Sequence, residues 1–156
     1  MFDQKGSIRL SIKAIIIKEN KILLTKNRYR GEVFYLLPGG GQNHGERIDE
    51  ALKRECLEEI GCPVEMNQLV FIRDYIGKNH KFANHEGDVH QVELMFSCKL
   101  LDGSPSMTKN KDDYQIGIEW IPLGELKNII IYPKALKKVI HKDGTFDERV
   151  YLGDTG

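Results

Sequence analysis

One stretch of the chain, residues 40–62, constrains the fold more than any other. Its sequence is GGQNHGERIDEALKRECLEEIGC. A run of helix-favouring residues lies between glycines, which predicts a helix over 48–60 that a glycine ends. Glu55, Glu58 and Glu59 share one side of this helix, because a helix turns by about 100° per residue. We call this side the acidic face.

The acidic face needs a partner of opposite charge. Like charges three or four positions apart destabilise a helix by a few tenths of a kcal/mol per pair, and the pattern places no basic residue within this face. It borders an apolar seam of Leu52, Cys56 and Ile60, with Leu57 at the edge of that seam. The carboxylates are therefore expected at the rim of the core. A hard divalent cation such as Mg²⁺, with Mn²⁺ as a substitute, suits such oxygen ligands.

The same stretch resembles the Nudix box. That signature is a Gly, five residues, a Glu, seven residues, and then Arg-Glu-apolar-x-Glu-Glu-x-Gly-apolar. The two apolar positions hold cysteine, which packs as a small hydrophobe when buried. The fixed positions match at the right spacing in this chain: Gly40, Glu46, Arg54, Glu55, Glu58, Glu59 and Gly61.

The resemblance implies a metal-dependent hydrolase of diphosphate linkages. It assigns Glu55 and Glu59 as metal ligands, Glu58 as a ligand or general base, and a backbone carbonyl at Gly40 or the preceding glycine as a further ligand. Arg54 belongs to the same catalytic set. It is expected to pair with the box glutamate eight positions earlier, and contact with a substrate phosphate is the alternative.

Substrate contacts are expected on both sides of this motif. Gly39, Gly40 and Gly41 carry no side chains and allow phosphate to approach the backbone closely, although no Gly-Lys-Ser/Thr follows as in a Walker A loop. Arg28 and Arg30 lie before the third predicted strand. They are either part of a solvated turn or of a wall that meets the phosphates or base of the substrate.

Two further groups of residues stay open at this point. The family often recruits another acidic residue from a later loop, and the candidates here are Asp112, Asp113, Glu86 and Asp88. His80, His85 and His90 recur at intervals of five or ten residues, which matches neither a helix face nor a zinc-finger spacing. We interpret them as polar loop residues, some of which border the substrate pocket.

The predicted elements indicate an α/β protein, and the resemblance implies a Nudix-type α/β/α sandwich with a mixed β-sheet between helices. At 156 residues, the chain suits one domain over 1–156. From residue 142 the tail is expected to be partly ordered, around 150–152. The predicted strands cover 8–18, 21–25, 33–37, 69–76, 89–101 and 115–121, and the predicted helices cover 48–60 and 133–141.

Composition limits the partners. Basic and acidic residues balance at 23 each, which argues against extended nucleic-acid contact. No apolar run reaches the length of a membrane span, and the beginning of the chain lacks the pattern of a signal peptide. Three cysteines without paired spacing are typical of reduced thiols, so a cytoplasmic protein is expected. A homodimer stays open.

The resemblance leaves the substrate open. Elimination among subgroup signatures favours a small enzyme that acts on (deoxy)nucleoside triphosphates, including oxidised ones. Hydrolysis of ADP-ribose, dinucleoside polyphosphates or RNA 5′ ends is an alternative. A non-catalytic domain that senses nucleotides belongs to a different class of function.

Overall fold

The computed structural model describes residues 6–109, 111 and 113–156. None of the helices in this part of the chain has the length and apolar character needed to span a membrane. The strands are β1 (Arg9–Lys18), β2 (Lys21–Tyr29), β3 (Glu32–Leu36), β4 (Gly39–Gly41), β5 (Val64–Ile76), β6 (His90–Leu100), β7 (Gln115–Pro122), β8 (Ile131–Tyr132) and β9 (Tyr151–Asp154). The α-helices are α1 (Ile48–Ile60), α2 (Ala83–Glu86) and α3 (Leu136–Val139).

The strands form two halves that meet at the β1–β2 hairpin. The path runs β8-β3-β2-β1-β6-β5-β9, with β4 added beside β1 and β7 beside β2. β1 and β2 pair only through Ile17 with Ile22 and Lys18 with Lys21, next to their turn, so the two halves diverge beyond it. β1 pairs with β6, β3 with β8 and β5 with β9 in parallel, and the other pairs are antiparallel. The sheet is therefore mixed, as predicted.

Alternation along β1 divides the core into two clusters. Ile12, Ala14 and Ile16 belong to the cluster that packs under α1. Ile15 belongs to the second cluster, which contains residues of both halves of the sheet and of α3. Successive side chains of a strand point to opposite faces. Arg9, Ser11 and Lys13 therefore lie on the same face as Ile15, between the two halves.

Helix α1 packs on the sheet through its predicted apolar seam. Leu52, Cys56 and Ile60 are fully buried, and burying an aliphatic side chain stabilises the fold by about 1.5–3 kcal/mol. Burial also raises the pKa of the Cys56 thiol, which is consistent with a packing role. The placement of Leu57 at the edge of the seam is wrong, because this side chain is 49% exposed. Gly61 ends the helix with φ of 67°.

The predicted strands and helices are present in the predicted order, β4, β8 and α2 were not predicted, and the predicted fold class is confirmed. The helix predicted over 133–141 is wrong in length, because α3 has only four residues. The chain leaves the helix at Ile140, which forms a β-bridge with Phe146. Ile140 is buried in the same cluster as α3. Tertiary pairing therefore overrides local helix propensity at this point.

The tail is ordered in the described structure. β9 runs parallel to β5, and Asp154 accepts hydrogen bonds from the backbone of Ile76 at 2.9 Å and from Asn79 at 2.8 Å. His80 Nε2 lies 2.6 Å from the same carboxylate. Burial opposes ionisation of Asp154, but the hydrogen bonds from His80, Asn79 and Ile76 prevail and lower its pKa to about 2.

Candidate active site

The three carboxylates of the acidic face differ in burial. The Glu59 residue is 4% exposed, whereas the side chains of Glu55 and Glu58 are 13% and 37% exposed. Glu59 therefore points inward from the helix, toward the glycines of β4. This gradient places the acidic face at the rim of the core, as the sequence predicts.

The three glycines form a strand beside the helix rather than a loop at its N-terminus. β4 pairs with β1, Gly39 opposite Lys13 and Gly41 opposite Ser11. The Gly39 N–H donates a hydrogen bond of 2.9 Å to Glu59 Oε2. A Cβ atom at Gly40 would lie 2.6 Å from Glu55 Oε2. The missing side chain of Gly40 is what lets the Glu55 carboxylate lie against the backbone.

Arg54 forms hydrogen bonds with several residues of the motif. Its Nε and Nη2 donate to the two carboxylate oxygens of Glu46, at 2.8 and 3.0 Å. The hydrogen bonds from Arg54 and from the Asn43 backbone lower the pKa of Glu46 to about 2. Nη2 also donates to the Gly41 carbonyl at 2.9 Å. The predicted Glu46–Arg54 ion pair is present, and it holds the segment before the helix against α1.

Arg54 also corrects one expectation about the acidic face. Its Nη1 lies 2.9 Å from Glu55 Oε1 and 3.4 Å from Glu58 Oε1. The prediction that no basic group lies within this face is therefore wrong. The arginine comes from the adjoining position of the same helix, and its long side chain bends across the carboxylates. Part of the negative charge is thus compensated within the protein.

The donor atoms fit a hard divalent cation in their chemistry. Glu55, Glu58 and Glu59 supply carboxylate oxygens, and the backbone of Gly40 lies against Glu55; carboxylate oxygens suit Mg²⁺. Within residues 6–109, 111 and 113–156, no three His, Cys, Asp or Glu side chains converge closely enough to hold an ion as they stand. Arg54 contacts two of the three glutamates, so those side chains would have to exchange this contact for an ion.

A cavity of about 230 Å³ opens beside Glu55 and the glycine strand. We call it the box cavity. Arg9, Ser11 and Lys13 of β1 line it, and so do Gln91 and Glu93 of β6, Arg73 of β5 and Tyr132. These positions continue the face of the sheet that lies between its two halves and contains Ile15. The face is apolar around Ile15 and becomes polar and largely cationic toward this end.

Lys13 and Arg9 bring positive charge to the glycine strand. The Lys13 ammonium donates to the carbonyls of Gly39 at 3.0 Å and Leu37 at 3.3 Å. The Arg9 guanidinium lies over Gly41, where an added Cβ would meet its Nη2 at 2.5 Å. Sequence reasoning missed both cations. Their alternation with Ile12 and Ala14 on β1 was the available signal, but it does not show what the other face of the strand meets.

Glu93 is a third residue that the sequence analysis missed. It is 3% exposed, it lines the box cavity, and its oxygens lie 3.3 and 3.4 Å from Arg73 Nε and Nη2. Gln91 Nε2 donates to it at 3.0 Å. Of the predicted acidic candidates, Asp112 falls outside the described residues. Asp113, Glu86 and Asp88 are not among the residues that line the box cavity.

A second cavity, also about 230 Å³, lies next to the first. We call it the aromatic cavity, because the rings of Tyr29, Phe34 and Phe82 line it together with Arg30 and Lys81. Arg30, predicted to contact substrate, therefore faces a cavity. Arg28 is exposed on β2 and is absent from the residues that line either cavity.

The histidines are dispersed. Each ring lies near a different side chain: His80 Nε2 is 2.6 Å from Asp154, His90 Nε2 is 2.8 Å from Asp74, and His85 Nε2 is 3.3 Å from Arg30 Nη1. His85 lines the aromatic cavity, and the other two hold elements around β5. This arrangement agrees with the interpretation of His80 and His85 as polar residues of a connection, one of which borders a pocket, whereas His90 is instead the first residue of β6.

A comparison with family models matches the NUDIX domain over residues 8–142. This chain belongs to the NUDIX family. The matched region begins before β1 and extends beyond α3, so it includes the motif, the glycine strand and the residues that line both cavities.

Relatives of this NUDIX protein have low sequence identity. Nudix hydrolase 2 of Arabidopsis thaliana is 27% identical over 79% of this chain and 42% of the plant protein. Nucleoside triphosphatase NudI of Klebsiella pneumoniae is 30% identical over 57% of this chain and 62% of NudI. The chain thus spans less than two thirds of the length of either relative.

A solved structure supports the fold. The MutT NUDIX hydrolase of Burkholderia pseudomallei superposes with a TM-score of 0.67 at 24% identity, over 84% of this chain and 95% of that one. At this identity the likeness concerns the fold alone.

Proposed function

We propose that this protein is a Mg²⁺-dependent pyrophosphohydrolase that cleaves a diphosphate bond of (deoxy)nucleoside triphosphates, including oxidised forms. The observation that carries the proposal is the juxtaposition of Glu59 and Glu55 with the glycine strand at the mouth of a cation-lined cavity. The similarity to NudI, a nucleoside triphosphatase, supports the choice of substrate.

Each part of the cavity suits one task in such a reaction. Glu55, Glu58, Glu59 and the Gly40 carbonyl would hold Mg²⁺, which, when bound, supplies Lewis acidity and polarises water and phosphate oxygens. Lys13 and Arg9 lie where they can neutralise phosphate oxygens along the glycine strand. Glu58, the most exposed of the three glutamates, is placed to accept a proton from water.

Arg54 has a positioning task in this proposal. Five hydrogen bonds fix its guanidinium between Glu46, Glu55, Glu58 and the Gly41 carbonyl. The group therefore keeps the carboxylates and the glycine strand in a fixed relation. Only its Nη1 atom contacts Glu55 and Glu58. When a cation binds, these two contacts can be released while those with Glu46 and Gly41 stay.

The experiment is product analysis by mass spectrometry with Mg²⁺. The panel holds nucleoside triphosphates, their oxidised forms, ADP-ribose, dinucleoside polyphosphates and a capped or triphosphorylated RNA end. Release of a nucleoside monophosphate and pyrophosphate from triphosphates alone would support the proposal. Cleavage of another class would redirect it, and Mg²⁺-dependent nucleotide binding without any product would favour a sensor.

The proposal includes the partner of the protein, its oligomeric state and its location in the cell. A small nucleotide is the proposed partner, and a homodimer stays open. The cytoplasm stays a prediction from the pattern of cysteines. Cys56, Cys62 and Cys98 are free and buried, which agrees with the reduced thiols on which that prediction depends.

A further inference from the structure

Tyr132 lies between the two cavities. Tyr132 lines the box cavity, and its ring lies edge-on to Phe34 at 5.6 Å and to Phe82 at 6.3 Å, both of which line the aromatic cavity. Each cavity has about 230 Å³, which is less than the roughly 300–1,000 Å³ of ordinary ligand pockets. A nucleotide therefore needs both, with its phosphates on the side of Glu55.

The aromatic cavity combines ring faces with cations. The Arg30 guanidinium lies 5.2 Å from the centre of the Tyr29 ring, and the Lys81 ammonium lies 5.3 Å from the centre of the Phe82 ring. Nucleobases stack on aromatic rings and on guanidinium planes. A hydrophobic partner alone would not require two cations at the same place.

Apart from Asn84, whose amide can donate or accept, the polar groups of this cavity favour hydrogen-bond donation to a ligand. Both oxygens of Glu32 are engaged, one by Tyr132 at 3.0 Å and the other by Lys81 at 2.8 Å. His85 Nε2 faces Arg30 Nη1 at 3.3 Å, and a guanidinium can only donate in such a contact. The guanidinium has further N–H groups, and a ligand with acceptor atoms suits them.

Arg30 lies in a tight turn with a left-handed backbone conformation. Arg30 and Gly31 form the turn between β2 and β3, with φ of 50° and 80°. Such two-residue turns favour Asn-Gly, because both positions require positive φ. Arginine at the first position costs stability relative to asparagine. The turn holds the Arg30 guanidinium beside the Tyr29 ring, where it lines the aromatic cavity.

We propose that the aromatic cavity is the nucleobase subsite and that Arg30 makes it prefer guanine over adenine. Guanine presents two acceptors, O6 and N7, on one edge, which a guanidinium can bind together, whereas adenine presents a donor amino group beside N7. This inference rests on the proposed nucleoside triphosphatase function, and it specifies which nucleobase the enzyme prefers. The bound triphosphate extends past Tyr132 to the glycine strand.

The test compares kcat/KM for GTP and ATP in the wild type and in Arg30→Asn. The wild type is expected to prefer GTP by about tenfold or more. Arg30→Asn is expected to reduce this ratio to below about threefold, mainly through a higher KM for GTP. Asparagine tolerates positive φ, so the free energy of unfolding should stay the same or rise.

The matched control is Glu19→Asn. Glu19 occupies the same place in the β1–β2 turn, with φ of 52°, and it lines neither cavity. This variant is expected to keep the wild-type GTP to ATP ratio. A ratio near one in the wild type, or an unchanged ratio in Arg30→Asn, would overturn the proposal.

Binding separates this proposal from the hydrolase proposal. If no triphosphate is cleaved, the hydrolase proposal fails, and the subsite is judged by the binding of GMP and AMP, measured by isothermal titration calorimetry. Tighter binding of GMP that is lost in Arg30→Asn supports the subsite. Equal binding of the two, or no binding of either, overturns it.

Discussion

The Gly39 amide donates a 2.9 Å hydrogen bond to the buried carboxylate of Glu59. This contact joins the glycine strand to the helix at the point where the proposed chemistry occurs. Gly39 has φ of 131°, and a Cβ there would meet the Ile12 carbonyl at 2.1 Å. Glycine is therefore required for the amide to reach the carboxylate.

Glu59→Gln is expected to abolish hydrolysis and preserve the fold. The amide oxygen of Gln can still accept from Gly39, but it loses the charge that a divalent cation needs. Turnover of nucleoside triphosphates should fall by at least about 100-fold, while circular dichroism and the melting temperature stay near the wild type. Glu65→Gln, which changes an exposed residue of β5, is the control. Wild-type turnover in Glu59→Gln would contradict the assigned role.

Gly40→Ala is expected to reduce the rate of hydrolysis strongly and the free energy of unfolding only moderately. The added methyl would lie 2.6 Å from Glu55 Oε2, so the carboxylate must move away from the backbone. A flexible side chain can do this at a cost of about 1–3 kcal/mol in unfolding free energy. Steady-state kinetics and chemical denaturation measure the two effects.

Gly124→Ala is the matched control for that substitution. A Cβ at Gly124 meets no atom within 4 Å, so both activity and stability should stay near the wild type. If Gly40→Ala were as active as this control, the close approach of Glu55 would have no functional role.

The Glu46–Arg54 pair predicts a pH dependence of stability. The pKa of Glu46 falls from 4.5 to about 2 in the folded protein. A carboxylate with a depressed pKa stabilises the fold above its unfolded pKa, and this contribution is lost as pH falls through the folded value. The free energy of unfolding should therefore decline between about pH 4.5 and pH 2. Urea denaturation across this range measures it.

Glu46→Gln isolates this contribution from those of other carboxylates. The difference in unfolding free energy between the wild type and Glu46→Gln should be largest above about pH 4.5 and shrink toward pH 2. A difference that does not vary with pH would show that the pair contributes through packing and not through charge.

Asp154→Ala is expected to loosen β9 from the sheet. The substitution removes the acceptor for Ile76, Asn79 and His80, and a typical hydrogen bond contributes about 0.5–1.5 kcal/mol net to stability. Amide hydrogen exchange should become faster in β9 and at Ile76, while β1 and β6 stay protected. Glu148→Ala, an exposed residue before β9, is the control. Unchanged exchange in Asp154→Ala would mean that backbone pairing alone holds this strand.

Local patterns were enough to predict helix α1 and its acidic face. The spacing of Leu52, Cys56 and Ile60 predicts the buried seam, and the glutamates follow from the same periodicity. The order and kind of most strands also follow from local alternation and turn residues. The placement of Leu57 is an error of the same local reasoning. Periodicity gives the angle of a side chain around the helix, but it does not show how far the sheet covers that side of the helix.

The extra residues of the site could not be predicted in the same way. Lys13, Glu93 and Arg73 come from three different strands, and they meet only because β1 pairs with β6 and β6 with β5. The search for another acidic residue considered later loops, whereas Glu93 lies within a strand. Arg54 was paired correctly with Glu46, but its contact with the acidic face depends on how its side chain bends.

The sequence by itself therefore determined the family, the fold class, helix α1 and the residues of the box, because these depend on periodicity and spacing over short distances along the chain. Only the tertiary structure decided which polar side chains face the cavities, how Arg54 compensates the acidic face, and where the tail packs. These features depend on strand order and register, which bring together residues far apart in the chain, and local patterns carry no information about such pairings.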